Sequence, residues 1–185
     1  MTQPKPKLKF TVGDYMSMPE GTRYQLLDGE MILAPSPTLK HQSLLANLHR
    51  LVYSFVAEAD LGRVWFAPLD VIHSAHDVAQ PYLMFVSNER AEIVTQANVQ
   101  GAPDLVVEIL SPSTVGYDQG YKRALYARHG VSECWLVDPD AETVEVLVLG
   151  EEGFNAHAVF RIGQTLESPL LDGLSLELED LFRED

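Results

Sequence analysis

Apolar residues recur at helical spacing along one early stretch and run in short, strand-like blocks through most of the remainder. In "TLKHQSLLANLHRLVYSFVAEADLG", Leu44, Leu45, Leu48, Leu51, Val52, Phe55 and Val56 make one stripe, which predicts a helix with a buried face and a stop at Gly62. Before it, "RYQLLDGEMILAP" holds two short runs around Asp28-Gly29, a dipeptide that favours a tight hairpin turn. After it, "RVWFAPLDVIHS" and "QPYLMFV" read as two strands, "SNERAEIVTQANVQG" as a short helix or an excursion, and "PDLVVEIL" as another strand. A second helix is predicted from Asp118 onward, with Ala124, Leu125 and Tyr126 available to pack and Gly130 as its C-terminal cap. "ECWLVD", the turn "PDAE", "TVEVLVLG" and "HAVFRI" follow, ahead of "LEDLF". This order predicts an α+β fold: a mixed β-sheet with a long N-terminal helix, a central helix and additional antiparallel strands.

Composition bounds the functions available. At 185 residues, the expected organisation is one domain over residues 10–185 behind a disordered tail at 1–9. No apolar run approaches the roughly 18 residues that span a bilayer, and "MTQPKPKLKF" has no apolar signal core, so a cytoplasmic protein without a membrane partner is expected. The single Cys134 agrees with a reducing compartment. Thirteen basic against 27 acidic side chains give a net charge of -14, which opposes binding to a polyanion. Against that trend, "GYKRALYARHG" carries Lys122, Arg123 and Arg128 without an acid, so a local basic patch is expected there.

The strand "PDLVVEIL" holds the first chemistry-bearing pattern. Alternation places Asp104, Val106, Glu108 and Leu110 on one face and Leu105, Val107 and Ile109 on the other. With both faces mostly apolar the strand should be central, which buries Glu108 and obliges it to find a partner. If residues 80–87 pair antiparallel with 103–110, Tyr82 falls opposite Glu108. Lys122 on the following helix is the natural cation, and Asp118, Lys122 and Tyr126 share one helical face at i, i+4 and i+8. Two readings follow. The Glu108–Lys122 pair either ties a helix to a sheet, or Glu108 holds Mg²⁺ while Lys122 orients water or stabilises transition-state charge.

The run "GAPDLVVEILSPSTVGYDQGYKRALYARHGVSECWLVDPDAETVEV" resembles the Uma-two family, restriction-endonuclease-like bacterial proteins of the PD-(D/E)XK nuclease superfamily. "MPEGTRYQLLDGE", His41 and "LLDGLSLELEDLF" extend the resemblance to about residues 8–183. It implies a restriction-endonuclease-like core and Mg²⁺- or Mn²⁺-dependent hydrolysis of DNA phosphodiesters. Glu108 would be the motif acid and Lys122 a relocated motif lysine, since Leu110 stands at the usual lysine position. Tyr82 stands where the family carries an aspartate, and Gln25 where it carries a glutamate. Tyrosine is neutral at pH 7 and a poor Mg²⁺ ligand. Asp70 is the expected second metal ligand, with Asp104, Glu30, His41, Asp118 and Tyr126 as supports. The alternative is a catalytically silent nuclease-fold module that binds nucleic acid or protein; in either case a homodimer is a candidate assembly.

Other residues carry weaker signals. His41 on the first helix reads as a capping or packing residue that would meet phosphate or water if it reached the site. His73 and His76 have no spacing that defines a metal pair. Cys134 reads as core. G-x-S-x-G, a phosphate-binding P-loop and paired C-x-x-C are absent from the sequence.

Overall fold

A computed structural model describes residues 8–183 other than 20, 35 and 112–115. Residues 1–7 of the expected tail, and the "PST" of "LSPST", therefore lie outside the described residues. After a short helix α1 (Val12–Met16), capped by Thr11, the hairpin β1 (Tyr24–Leu27) and β2 (Glu30–Leu33) pairs Leu27 with Glu30. Its turn residues Asp28 and Gly29 have φ of 52° and 74°, the left-handed pair a two-residue hairpin needs.

The predicted helix is α2 (Leu39–Glu58), N-capped by Thr38, and it buries Leu44, Leu45, Leu48, Val52 and Val56. Gly62 does not stop it. That glycine opens β3 (Gly62–Phe66), where a Cβ would stand 2.2 Å from the Val86 carbonyl oxygen. The run expected to be one strand is two, β3 and β4 (Val71–Ser74), because Pro68 interrupts it; a further strand, β5 (Asp77–Ala79), follows. Next come β6 (Leu83–Ser87), a 3₁₀ turn (Asn88–Ile93), β7 (Val99–Gln100) and β8 (Leu105–Ile109). A π-helical segment (Tyr117–Lys122) leads into α3 (Arg123–His129), capped by Gly130 at φ 85°. Then follow β9 (Glu133–Asp138), β10 (Thr143–Gly150), β11 (Gly153–Arg161), β12 (Thr165–Glu167), β13 (Ser175–Glu177) and α4 (Leu178–Leu181).

Two main sheets form the scaffold, ordered β2-β1-β5-β4-β7 and β11-β10-β9-β8-β6-β3, and β12 pairs with β13 apart from them. β8 is central as expected, parallel to β9 and antiparallel to β6. Its two faces serve different layers. Leu105, Val107 and Ile109 pack with the α2 stripe, Trp135 and Val137, while Val106 and Leu110 join Leu125, Tyr126 and Cys134 on the α3 side. Fully burying each large apolar side chain contributes about 1.5–3 kcal/mol, so this central strand is held from both sides. Glu108 points into the α3 layer because it alternates with those residues. Among the described residues, no helix is long and apolar enough to cross a membrane.

Candidate functional site

Two elements bring the site together. β8 supplies Glu108, with 0% exposure, and the helical segment behind it supplies Asp118, Lys122 and Tyr126, exposed by 1%, 4% and 0%. Lys122 Nζ donates to Glu108 Oε1 at 3.1 Å and lies 3.1 Å from Asp118 Oδ1, so one ammonium joins two buried carboxylates. The Asp118 contact is a charge contact without hydrogen-bond geometry. Tyr126 OH donates to the same Glu108 oxygen at 2.5 Å. Asp118 and Lys122 sit in the π-helical segment, whose wider turn is a frequent mark of functional sites.

Electrostatics follow from burial. Desolvation pushes the Glu108 carboxyl up to about 7 against the pull of Lys122, and the Asp118 charge adds to the rise. Burial alone would lower Lys122, but Glu108 and Asp118 outweigh it and hold the ammonium above the ordinary lysine range. Lys122 is therefore the firmly charged member of the group. Tyr126 is raised first by burial and then by the Glu108 charge, and stays a donor.

A cleft of about 220 Å³ opens beside this cluster, lined by Arg23, Gln25, Gln80, Tyr82, Asp118 and Lys122 among others. β6 and β8 pair Leu83 with Val107 and Met84 with Val106, and one further step of that register sets Tyr82 opposite Glu108. Burial, then the Glu108 charge, raises the Tyr82 phenol, so it faces the cleft as a neutral group. Gln25 accepts from the Gln80 backbone N–H at 2.9 Å through its side-chain oxygen.

Free lone pairs decide whether these groups suit a divalent cation. Glu108 Oε2 and both Asp118 oxygens have no hydrogen-bond partner among the described residues. Yet an ammonium already bridges the two acids, Tyr82 and Gln25 bring no charge, and among the described residues no three His, Cys, Asp or Glu side chains converge as a metal site. A hard cation such as Mg²⁺ is held by carboxylates and other oxygens in octahedral array. The residues present do not form such a resident site.

The remaining predicted residues lie in other roles. Asp70 accepts at one oxygen from Tyr15 OH and Gln80 Nε2, each 2.8 Å away, so it meets the cleft through Gln80. Asp104, at the far end of β8, accepts from the Ser87 N–H at 2.8 Å and pairs with Arg90 at 3.2 Å. Glu30 is exposed on β2. His41 is buried, with Nδ1 2.8 Å from Thr38 Oγ1 and Nε2 3.2 Å from the Leu110 carbonyl oxygen, and its ring lies 6.2 Å from that of Tyr82. The expected basic patch is dispersed because each of its cations has another task. Lys122 is buried, Arg123 donates to the Phe154 carbonyl, and Arg128 covers the Tyr121 ring at 5.6 Å. A groove of about 670 Å³ beside α3 faces Arg123 and Arg128 with Glu151 and Glu152, so its charge is mixed.

Two buried acids carry no clear mark in the sequence. Glu133 accepts from Trp135 Nε1 at 2.6 Å, Ser168 Oγ at 2.6 Å and the Leu170 N–H at 2.9 Å; an acid inside "ECWLVD" is the one available signal. Asp77 accepts from the Asp28 N–H, Tyr121 OH and Ser74 Oγ. Nothing in the local pattern of Asp77 distinguishes it from a turn residue.

Comparison with known proteins now bears on this geometry. The family model Uma2, described as "Putative restriction endonuclease", matches residues 12–179. Among solved structures, one described as "a putative nuclease belonging to DUF820 from Anabaena variabilis" is similar, with a TM-score of 0.78 and 23% identity over 94% of this chain and 97% of that one. That likeness establishes the α+β fold that the two chains share. No curated protein matches the chain.

Proposed function

The chain belongs to the Uma2 family, and from that premise we propose a nuclease-fold protein whose cleft engages a DNA phosphodiester segment but has lost catalytic turnover. The observation that carries this reading is the Lys122 ammonium 3.1 Å from both Glu108 and Asp118, with neutral Tyr82 and Gln25 at positions where the resemblance calls for acids. Two carboxylates that share one internal ammonium keep at most one net negative charge between them, which attracts a divalent ion less than two free acids would. Arg23 brings the cleft a cation outside the Lys122–Glu108–Asp118 group, and the Gln25 and Gln80 amides add hydrogen-bonding capacity. With few cations available and a net charge of -14, binding should be weak, and because few phosphates are neutralised its salt dependence should be shallow.

A second reading, Mg²⁺- or Mn²⁺-dependent endonuclease activity, is favoured by the unpartnered oxygens of Glu108 and Asp118. One experiment separates the two: calorimetric titration of Mg²⁺ and Mn²⁺ into the natural protein, Glu108→Ala and the Tyr82→Asp/Gln25→Glu double variant, with plasmid cleavage measured alongside. The proposal expects no binding at millimolar metal and no cleavage by the natural protein, and new divalent binding in the double variant. Cleavage by the natural protein that disappears in Glu108→Ala would replace it with the endonuclease reading. The binding half is tested by anisotropy of a labelled oligonucleotide, which Arg23→Ala should weaken.

A further inference from the structure

Beside the Tyr126 ring, a buried imidazole lacks polar partners. His73 is 9% exposed, and neither Nδ1 nor Nε2 has a hydrogen-bond partner among the described residues. Every neutral imidazole carries one N–H and one lone pair, and leaving a buried donor or acceptor unmet costs about 1–3 kcal/mol. The backbone makes this placement. β4 and β5 pair Ile72 with Val78 but Ser74 with Asp77, so His73 is the extra residue of a β-bulge, the device that re-aims a side chain out of regular alternation.

The bulge sets His73 against two rings. Tyr126 lies 5.4 Å away between centroids at 53°, and His129 lies 5.4 Å away at 45°. His129 ends α3 and is exposed, so the pair reaches solvent from one side. Two imidazoles that bind one tetrahedral ion through nitrogens about 2.1 Å from it bring their centroids to about 5 Å apart. The observed spacing matches that arrangement. Burial favours the neutral imidazole, which is the form that ligates metals.

We propose that His73 and His129 form a two-histidine site for a first-row transition dication of the Zn²⁺, Ni²⁺ or Cu²⁺ class, completed by water. Asp77 contributes negative charge nearby, but its oxygens are occupied by the Asp28 N–H, Tyr121 OH and Ser74 Oγ. Among the described residues no third His, Cys, Asp or Glu joins the pair, which sets the site apart from closed structural zinc centres. Imidazole nitrogen selects borderline ions and leaves Mg²⁺ to oxygen donors, so this site is chemically distinct from anything the cleft would hold.

The test titrates ZnCl₂ and NiCl₂ calorimetrically into the chelator-stripped full chain. One ion per chain should bind, with affinity reduced about tenfold or more in both His73→Ala and His129→Ala and unchanged in His76→Ala. His129 is exposed, so its variant remains informative if His73→Ala does not fold. Cobalt loading should give a visible absorption band that the His129 variant lacks. No binding at millimolar zinc, or binding that survives in the His129 variant, overturns the site. Binding lost instead in Glu108→Gln would overturn it by placing the ion in the cleft.

Discussion

Replacing Lys122 by methionine retains most of the side-chain volume and removes the charge that joins Glu108 to Asp118. The two acids are 0% and 1% exposed, so neither reaches bulk water when the ammonium is gone. Breaking a buried ion pair by deleting one partner costs about 3–5 kcal/mol. Against a total stability of about 5–15 kcal/mol, that is enough to leave a marginal fold. The cost should depend on pH. Burial already holds the folded Glu108 pKa at about 7, above the ordinary glutamate range that the unfolded chain keeps, and loss of Lys122 raises it further. Between the unfolded and folded pKa the folded state binds more protons than the unfolded one, so stability is full below the unfolded pKa and falls as pH rises through the folded pKa. Every further tenfold weakening of the folded carboxyl as an acid adds about 1.4 kcal/mol to that fall. Urea unfolding followed by tryptophan fluorescence, which includes the fully buried Trp135, should show Lys122→Met losing more stability at pH 8 than at pH 5. Adding Glu108→Gln should remove most of the pH dependence. A loss below about 1 kcal/mol at pH 8, or the same loss at both pH values, would refute the reasoning, because the carboxylates would then have another source of compensation.

Glu133→Ala strands the Trp135, Ser168 and Leu170 donors inside the core and should cost about 3–5 kcal/mol in urea unfolding; Glu133→Gln, which keeps an acceptor, should cost less. Asp104→Asn should lower stability by about 1–3 kcal/mol through the Ser87 and Arg90 contacts, while oligonucleotide and metal titrations of the cleft stay at their parental values.

Local spacing is legible as far as local physics reaches. The α2 stripe, the Asp28-Gly29 hairpin, the Gly130 cap and the alternation of β8 each follow from side-chain period or from backbone freedom at one or two residues. The Glu108–Lys122 pair is legible for the same reason: a buried acid needs a cation, and the next element supplies one. The antiparallel β6–β8 register is different: the connection between the strands leaves it open in the sequence, and the structure sets it by pairing Leu83 with Val107.

Partner choice across longer separations belongs to the tertiary structure. Asp70 finds Tyr15, 55 residues away, and Glu133 finds Ser168, 35 residues away; no local period encodes either contact. The basic run "GYKRALYARHG" is continuous along the chain, yet folding sends its cations to a buried acid pair, a carbonyl and an aromatic ring. His73 carries no signal as a residue in a strand; only the slipped β4–β5 register turns it toward His129. The sequence by itself determined which segments bury an apolar face, because that depends on spacing within each segment. Only the tertiary structure decided which buried polar atoms find partners, because a hydrogen bond or ion pair requires two groups within about 3 Å, and packing of distant elements sets that distance.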